Sequence, residues 1–265
     1  MHTSGNLVLT GADKKVRRQE LLLEQVLKTG YLSVEEISRR FGVTPQTARR
    51  DLADLLSTGR VRRCHGGMTP AAPIDATTRR IRRSQNTKAK RRIADCVAKL
   101  IPDGASIYLD AGSTMETIAG IVAQRRRDLD VTTTSVRIAA ELSERDDFTV
   151  HIPTGIVRGG DNAVIGEDVA PWLRSRRFDV LVMTVGGISE SGHVTVDTAI
   201  EVPILRAAID VSDRVIVAAD STKFDFRAPE LLMGIERINA LVTDAQLPRA
   251  LLARLTAENV ELHLL

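Results

Sequence analysis

From Lys14 to Lys28, apolar residues fall at Val16, Leu22, Leu23, Val26 and Leu27, a spacing that gathers them on one side of a helix. Gly30 follows as a stop signal. Ser33-Val34-Glu35-Glu36 then has the form of a capping box, with the Ser33 hydroxyl and the Glu36 carboxylate each satisfying a free amide at a helix start. Ile37 and Phe41, four residues apart, face inward, and the helix ends at Phe41-Gly42-Val43. Thr44 is a good N-cap, and Pro45 suits the first helical position because its missing N–H costs nothing there. In this third helix Ala48, Leu52 and Leu55 form the inner stripe, which turns Gln46, Arg49, Arg50 and Ala53 outward. Beyond Gly59, Val61 among basic residues predicts a short strand and Gly66-Gly67 a turn, the makings of a two-stranded wing.

The rest of the chain has a different rhythm. Residues 70–86 carry two prolines and four arginines and predict an extended connector. A helix is expected over 87–100, with Ile93, Val97 and Leu100 on one face. Short apolar runs then recur at 106–110, 130–134, 148–154, 179–185, 213–219, 238–243 and 260–264, most of them separated by helical patterns. Such alternation predicts a largely parallel sheet covered by helices on both faces, whose ligands gather at the carboxyl ends of the strands.

Charge sharpens the division. The net charge is +3, but residues 1–92 hold 20 Lys and Arg against 8 Asp and Glu, and the remainder is correspondingly acidic. A basic front half points to a polyanion as partner. Aromatic residues make up 3% of the chain, which argues against stacking on unpaired bases. The two cysteines, Cys64 and Cys96, fit a reducing compartment and lack metal-site spacing. With no long apolar run and no signal-peptide pattern, a cytoplasmic protein without membrane attachment is expected.

The third helix suits the major groove of double-stranded DNA. Arginine pairs with guanine O6/N7 and glutamine with adenine N6/N7, and at least one of Arg49 and Arg50 is expected on phosphate. Asp51 either orients an arginine or opposes a wrong base. The candidate DNA contacts are Ser33, Thr44, Gln46, Thr47, Arg49 and Arg50, with Arg60, Arg62, Arg63 and His65 on the wing. Residues 14–70 resemble the DeoR-type bacterial transcription regulators: the S-V-E-E-I-S-R-R-F-G-V-T segment, the T-A-R-R-D-L stretch at 47–52 and G-R-V-R-R-C-H-G-G at 59–67 occur in the family's order. Ala48 replaces the bulkier aliphatic residue usual before the two arginines.

In the second half, small and hydroxylated residues follow the predicted strands. Asp110-Ala111-Gly112-Ser113-Thr114 opens a helix and can bring an anion against backbone amides. Thr134-Ser135 ends the second run, Gly186-Gly187 follows the fourth, and Asp220-Ser221-Thr222-Lys223 follows the fifth, adding a cation and a carboxylate. These segments, with Thr154-Gly155, Arg158 and Gly166-Glu167, resemble the DeoR-type effector domain, itself similar to ribose-phosphate isomerase and CoA-transferase folds. Thr134 stands where the family commonly has Asn, and Ile156 where a second Gly follows Gly155. The resemblance implies a phosphorylated sugar as effector, held by Asp110, Gly112, Ser113, Thr114, Thr134, Ser135, Gly155, Arg158, Gly186, Asp197, Asp220 and Lys223.

The expected fold is thus α/β with an N-terminal winged helix-turn-helix: a DNA-binding domain over 14–70, a linker over 71–86, and an effector-binding and oligomerisation domain over 87–265. The expected function is a DNA-binding transcriptional regulator of carbohydrate metabolism, a repressor, acting as a homo-oligomer (dimer or tetramer) with no cofactor and no metal. The alternative is a sugar-phosphate isomerase tethered to DNA, with Asp110, Asp220 and Lys223 as its reactive groups. Trp172 is expected in a core or interface.

Overall fold

The computed structural model describes residues 11–29, 32–58, 60–64, 67–70, 86–159, 161–224 and 228–265. It divides into two compact units, residues 1–74 and 75–265. His65 and residues 71–85 of the expected linker lie outside the described residues.

The first unit runs α1 (Gly11–Thr29), β1 (Leu32–Ser33), α2 (Val34–Phe41), α3 (Pro45–Ser57), β2 (Val61–Cys64) and β3 (Gly67–Pro70). The three strands form one antiparallel sheet in the order β1-β3-β2. Both caps form as the sequence predicts. The Ser33 hydroxyl accepts from the Glu36 N–H at 3.0 Å, and the Ser33 N–H donates to the Glu36 carboxylate at 2.8 Å. Gly42 takes the left-handed conformation that ends α2, and Thr44 caps α3 through the Thr47 N–H. Leu22, Leu23, Val26, Ile37, Ala48, Leu52, Leu55 and Met68 make the core.

Val16 departs from expectation: it is 55% exposed. That end of α1 meets α3 through polar links instead, Lys15 to Asp54 at 2.6 Å and Gln19 to Asp54 at 2.9 Å. Replacing Ser33 by Ala is expected to cost this unit about 1 kcal/mol, the usual worth of an N-cap. Denaturant unfolding of the two proteins followed by far-ultraviolet circular dichroism checks it, and coincident curves would deny the cap any energetic role.

In the second unit, α4 (Thr87–Leu100) leads into β4 (Ser106–Leu109), α5 (Ser113–Arg125), β5 (Asp130–Thr133), α6 (Val136–Leu142) and β6 (Thr149–His151). The hairpin β7 (Ile156–Arg158) and β8 (Ala163–Ile165) follows, then α7 (Val169–Arg174) and β9 (Phe178–Met183). Next come β10 (Gly187–Ile188), β11 (His193–Val196), α8 (Glu201–Asp210), β12 (Ser212–Ala218), β13 (Glu230–Gly234), β14 (Ala240–Thr243), α9 (Arg249–Ala257) and β15 (Glu261–Leu264).

The seven apolar runs of the sequence supply the seven strands of one sheet, in the order β15-β14-β12-β9-β4-β5-β6. Every neighbouring pair is parallel. Alternate residues feed two cores. Ile107, Leu109, Val131 and Val182 pack against Ile93, Val97, Met115 and Ile118. Tyr108, Leu181 and Val217 pack on the other face with Leu173, Ile204 and Leu251. Trp172 packs half-buried against this second core, with the Arg176 guanidinium 4.1 Å from its ring centroid. The β7–β8 hairpin and a small antiparallel sheet, β10-β11-β13, are additions that the sequence pattern did not announce.

The chain leaves β4 to build β5 and β6 on one side, then returns to place β9, β12, β14 and β15 on the other. The strand order therefore reverses between β4 and β9. Connections from these two strands diverge to opposite faces and open a crevice at their carboxyl ends, where open sheets of this kind hold ligands.

Candidate functional site

On α3 the side chains of Gln46, Arg49 and Arg50 are exposed, and Thr47 is half-buried with its hydroxyl 3.0 Å from that of Thr44. The inner residues Ala48, Leu52 and Leu55 are buried, so one helix carries a packed side and a polar, cationic side. Ser33 and Thr44 spend their hydroxyls on helix caps. Arg60 and Arg63 are exposed at and beside β2, while the Arg62 side chain lies outside the described residues.

Asp51 does not lie on the groove-facing side of α3. It is 1% exposed, and the Arg18 guanidinium grips its two oxygens at 2.7 and 3.0 Å. The arginine it orients belongs to α1. The two-pronged geometry of a guanidinium on a carboxylate fixes the angle between α1 and α3.

The crevice between β4 and β9 is built by Asp110. Its backbone N–H donates to Val182 O at 3.0 Å, which extends the ladder one residue past β4. Its carboxyl group receives backbone N–H donors from Ala111 and Thr184. Burial pushes the Asp110 carboxyl up to about 8, and the nearby Glu201 carboxylate pushes the same way, against the two amides and Arg158. Next along the chain, Gly112 has φ 137°, a conformation reserved for glycine, and a Cβ there would meet the Thr184 methyl at 3.3 Å. Gly112 is also the N-cap of α5 and offers no side-chain acceptor, so the first amides of that helix face the crevice uncapped by a side chain.

Arg158, from β7, reaches Glu201 at 2.8 Å and Thr198 at 3.3 Å, and it also grips Asp161. Thr134 is buried, its hydroxyl 3.4 Å from that of Tyr108, whose own ionisation is driven upward by burial first and by Asp110 and Glu201 next in order of charge effects. Ser135 is buried and caps α6 through the Ile138 N–H. Thr134 thus meets Tyr108, which packs in the second core, whereas Ser135 caps a helix that packs in the first.

Thr114 is buried in the first turn of α5. Asp197 is half-buried just past β11. Gly155 packs so closely on the β8 end that a Cβ would come 2.6 Å from Ile165 O, and at Gly186 a Cβ would come 2.4 Å from the Ala228 Cβ. Asp220 is buried and turns its carboxylate on its own short turn, accepting from the Thr222 N–H at 3.0 Å; Lys223 is half-buried at the end of that turn. Both follow β12, two strands from Asp110.

Four residues that the sequence reasoning passed over belong to this cluster: Lys90, Asp161, Thr198 and Glu201. Lys90 carried a legible signal. It falls three residues before Ile93 and seven before Val97, on the buried stripe of α4, where a lysine is out of place. A groove of about 430 Å³ on the small sheet, lined by Gly192, Arg206, Leu231, Ile235 and Arg254 among others, involves none of the candidate effector residues. Among the described residues, no His, Cys, Asp and Glu cluster suits a metal ion, and no helix is long and apolar enough to cross a membrane.

A winged helix-turn-helix unit followed by an α/β unit with a polar crevice at its switch point is the architecture of a ligand-responsive DNA-binding regulator. Residues 18–72 match the DeoR-like helix-turn-helix domain, and residues 85–245 match the DeoR C terminal sensor domain. The chain belongs to the DeoR family of transcription regulators. It is 31% identical to the glycerol-3-phosphate regulon repressor of Escherichia coli K12, over 95% of this chain and 99% of that one. The transcriptional repressor CsqR of the same organism is 30% identical, over 92% and 94%. A putative aga operon repressor of Escherichia coli O157:H7 is 28% identical, over 97% and 96%. Among solved structures, a ribose 5-phosphate isomerase A from Neisseria gonorrhoeae superposes with a TM-score of 0.36 at 13% identity, over 51% of this chain and 52% of that one. The delta subunit of eIF2B from Chaetomium thermophilum gives 0.45 at 14%, over 91% and 92%.

Proposed function

We infer that the protein is a transcriptional repressor whose grip on double-stranded operator DNA is set by a phosphorylated carbohydrate bound in the β4–β9 crevice. The observation that carries this is the segregation on α3: Gln46, Arg49 and Arg50 exposed on one side, Ala48, Leu52 and Leu55 buried on the other. Relatives aligned along nearly the whole chain are named repressors, among them one of a glycerol-3-phosphate regulon, which supports both the repressor reading and a phosphate-bearing effector. The DNA contacts are Gln46, Thr47, Arg49 and Arg50 on α3, with Arg60, Arg62, Arg63 and His65, which the sequence assigns to a wing; Ser33 and Thr44 act by fixing helix ends. The effector contacts centre on Asp110, Gly112, Ser113, Thr114, Thr134 and Ser135. Arg158 positions Glu201, and Gly155 and Gly186 keep the crevice walls close-packed. Asp197, Asp220 and Lys223 form its outer rim. A homo-oligomer, dimer or tetramer, pairs the reading helices on repeated half-sites.

The effector shifts DNA affinity only by its preference for one arrangement of the chain, a coupling of about 1 to 3 kcal/mol. An isomerase reading is not favoured, since the relatives aligned along nearly the whole chain are named repressors. The test is a mobility-shift titration on duplexes from the chain's own promoter region and on shuffled duplexes, with and without glycerol 3-phosphate and hexose 6-phosphates. Selective binding that one of these phosphates changes about 5- to 150-fold is the expected result. Equal affinity for promoter and shuffled DNA would end the proposal.

A further inference from the structure

The solvent side of α4 is basic along most of its length. Lys88, Arg91, Arg92 and Lys99 are all exposed and fall at helical spacing on one stripe, opposite the buried Ile93, Ala94 and Val97. At 1.5 Å per residue the stripe runs about 16 Å. The helix has one acid, Asp95, and Arg125 pairs with it. Among the described residues Lys88, Arg91 and Arg92 have no carboxylate partner. Cations clustered along one helix face are the electrostatic footprint of a nucleic-acid contact.

Two further observations select the partner. The stripe runs against the charge of its own unit, since residues 93–265 hold 17 Lys and Arg against 26 Asp and Glu. A unit so acidic is repelled by a duplex except where a basic patch faces the phosphates. The stripe also begins where the connector from the first unit ends, and residues 71–86 themselves carry Arg79, Arg80, Arg82 and Arg83. That stretch spans at most about 60 Å, so a duplex gripped by the first unit stays at high local concentration around α4, where even a weak contact is filled. A lipid surface fits less well, because the stripe holds no aromatic or large apolar side chain to enter it.

Resting on the DNA-binding reading above, we propose that α4 is a second DNA-contacting element, whose Lys88, Arg91 and Arg92, with Lys99 farther along, hold the phosphate backbone of the duplex that α3 reads. The contact carries no base preference, so it strengthens binding to every sequence alike. The sensor unit thereby adds to the grip on DNA directly.

The test uses the full chain and two triple variants of equal charge. One carries Lys88→Gln, Arg91→Gln and Arg92→Gln. The other carries Arg174→Gln, Arg249→Gln and Arg254→Gln, exposed positions elsewhere on the same unit. Urea unfolding followed by Trp172 fluorescence checks that both sensor units are intact. Fluorescence anisotropy with promoter and shuffled duplexes is then read at several salt concentrations. The α4 variant is expected to bind both duplexes about tenfold or more weaker at low salt, with the log–log salt slope shallower by about 2 to 3. Its preference for promoter over shuffled DNA is expected to match the parent's, and the second variant to keep a slope near the parent's. A parental slope in the α4 variant, or the same loss in both variants, would overturn the inference and leave the repressor reading standing. Binding of the parent to vesicles of phosphatidylserine and phosphatidylcholine that the α4 variant loses, with DNA affinity unchanged, would overturn it in favour of a membrane. A parent that binds promoter and shuffled DNA equally would instead end the repressor reading, with the slope of the α4 variant still deciding the contact.

Discussion

With Arg49 and Arg50 both replaced by alanine, affinity for the operator is expected to fall by about 2 to 6 kcal/mol, at roughly 1 to 3 kcal/mol for each arginine. At about 1.4 kcal/mol per tenfold, that is a loss between roughly thirtyfold and roughly twenty-thousandfold. Both side chains are exposed, so the fold should hold within about 0.5 kcal/mol, and the loss belongs to binding. The two single variants separate the roles. Removing a phosphate contact weakens all sequences alike and makes the salt dependence shallower by about 0.9 in the log–log slope. Removing a base contact leaves that slope alone and relaxes the preference for one base pair. The residues are neighbours, so the double variant need not equal the sum. Fluorescence anisotropy with operator and shuffled duplexes at several salt concentrations reads all of this. A double variant that still selects the operator would displace the recognition surface from α3.

The second large effect concerns Asp110. Its carboxyl is pushed up to about 8 in the folded chain, chiefly by burial and then by Glu201, against an ordinary value near 3.8. Between those values the folded chain holds a proton that the unfolded chain has released. Stability therefore falls as pH rises from about 4 to about 8 and levels off above, with a slope of at most about 1.4 kcal/mol per pH unit. Asp110→Asn keeps the shape and removes the titration. The variant is expected to match the parent near pH 4, to exceed it increasingly up to about pH 8, and to keep a constant margin above that. Trp172 is the chain's single tryptophan and lies in the sensor unit, so its fluorescence during urea unfolding follows this unit alone. Parallel pH profiles for the two proteins would show that Asp110 ionises normally.

Most of the sensor unit's large sheet can be read from the sequence, and the reason is physical. Strands buried on both faces, such as Val180 to Met183 and Val215 to Ala218, must be apolar throughout and stand out as unbroken runs. The first unit is legible for another reason: Ser33, Gly42, Thr44 and Pro45 each act on the backbone next to them. What escaped is non-local. Strands as short as Ile156–Arg158 and Gly187–Ile188 exist because a partner strand pairs with them, and Ile156 is 73% exposed. Arg158 draws Asp161 and Glu201 together at the crevice from stretches 40 residues apart, and neither sits in a motif. Asp51 reads as part of a recognition sequence, yet its partner, 33 residues upstream, is visible only once α1 packs on α3.

That clasp between Arg18 and Asp51 has a bearing on how the molecule can change. The brace holds the buried Asp51 of the reading helix, while Gln46, Arg49 and Arg50 are exposed and take no part in it. Operator preference can drift by substitution on the outer flank with the helix still aimed along the same line. A new target site thus requires new letters in the groove but no new hinge behind them.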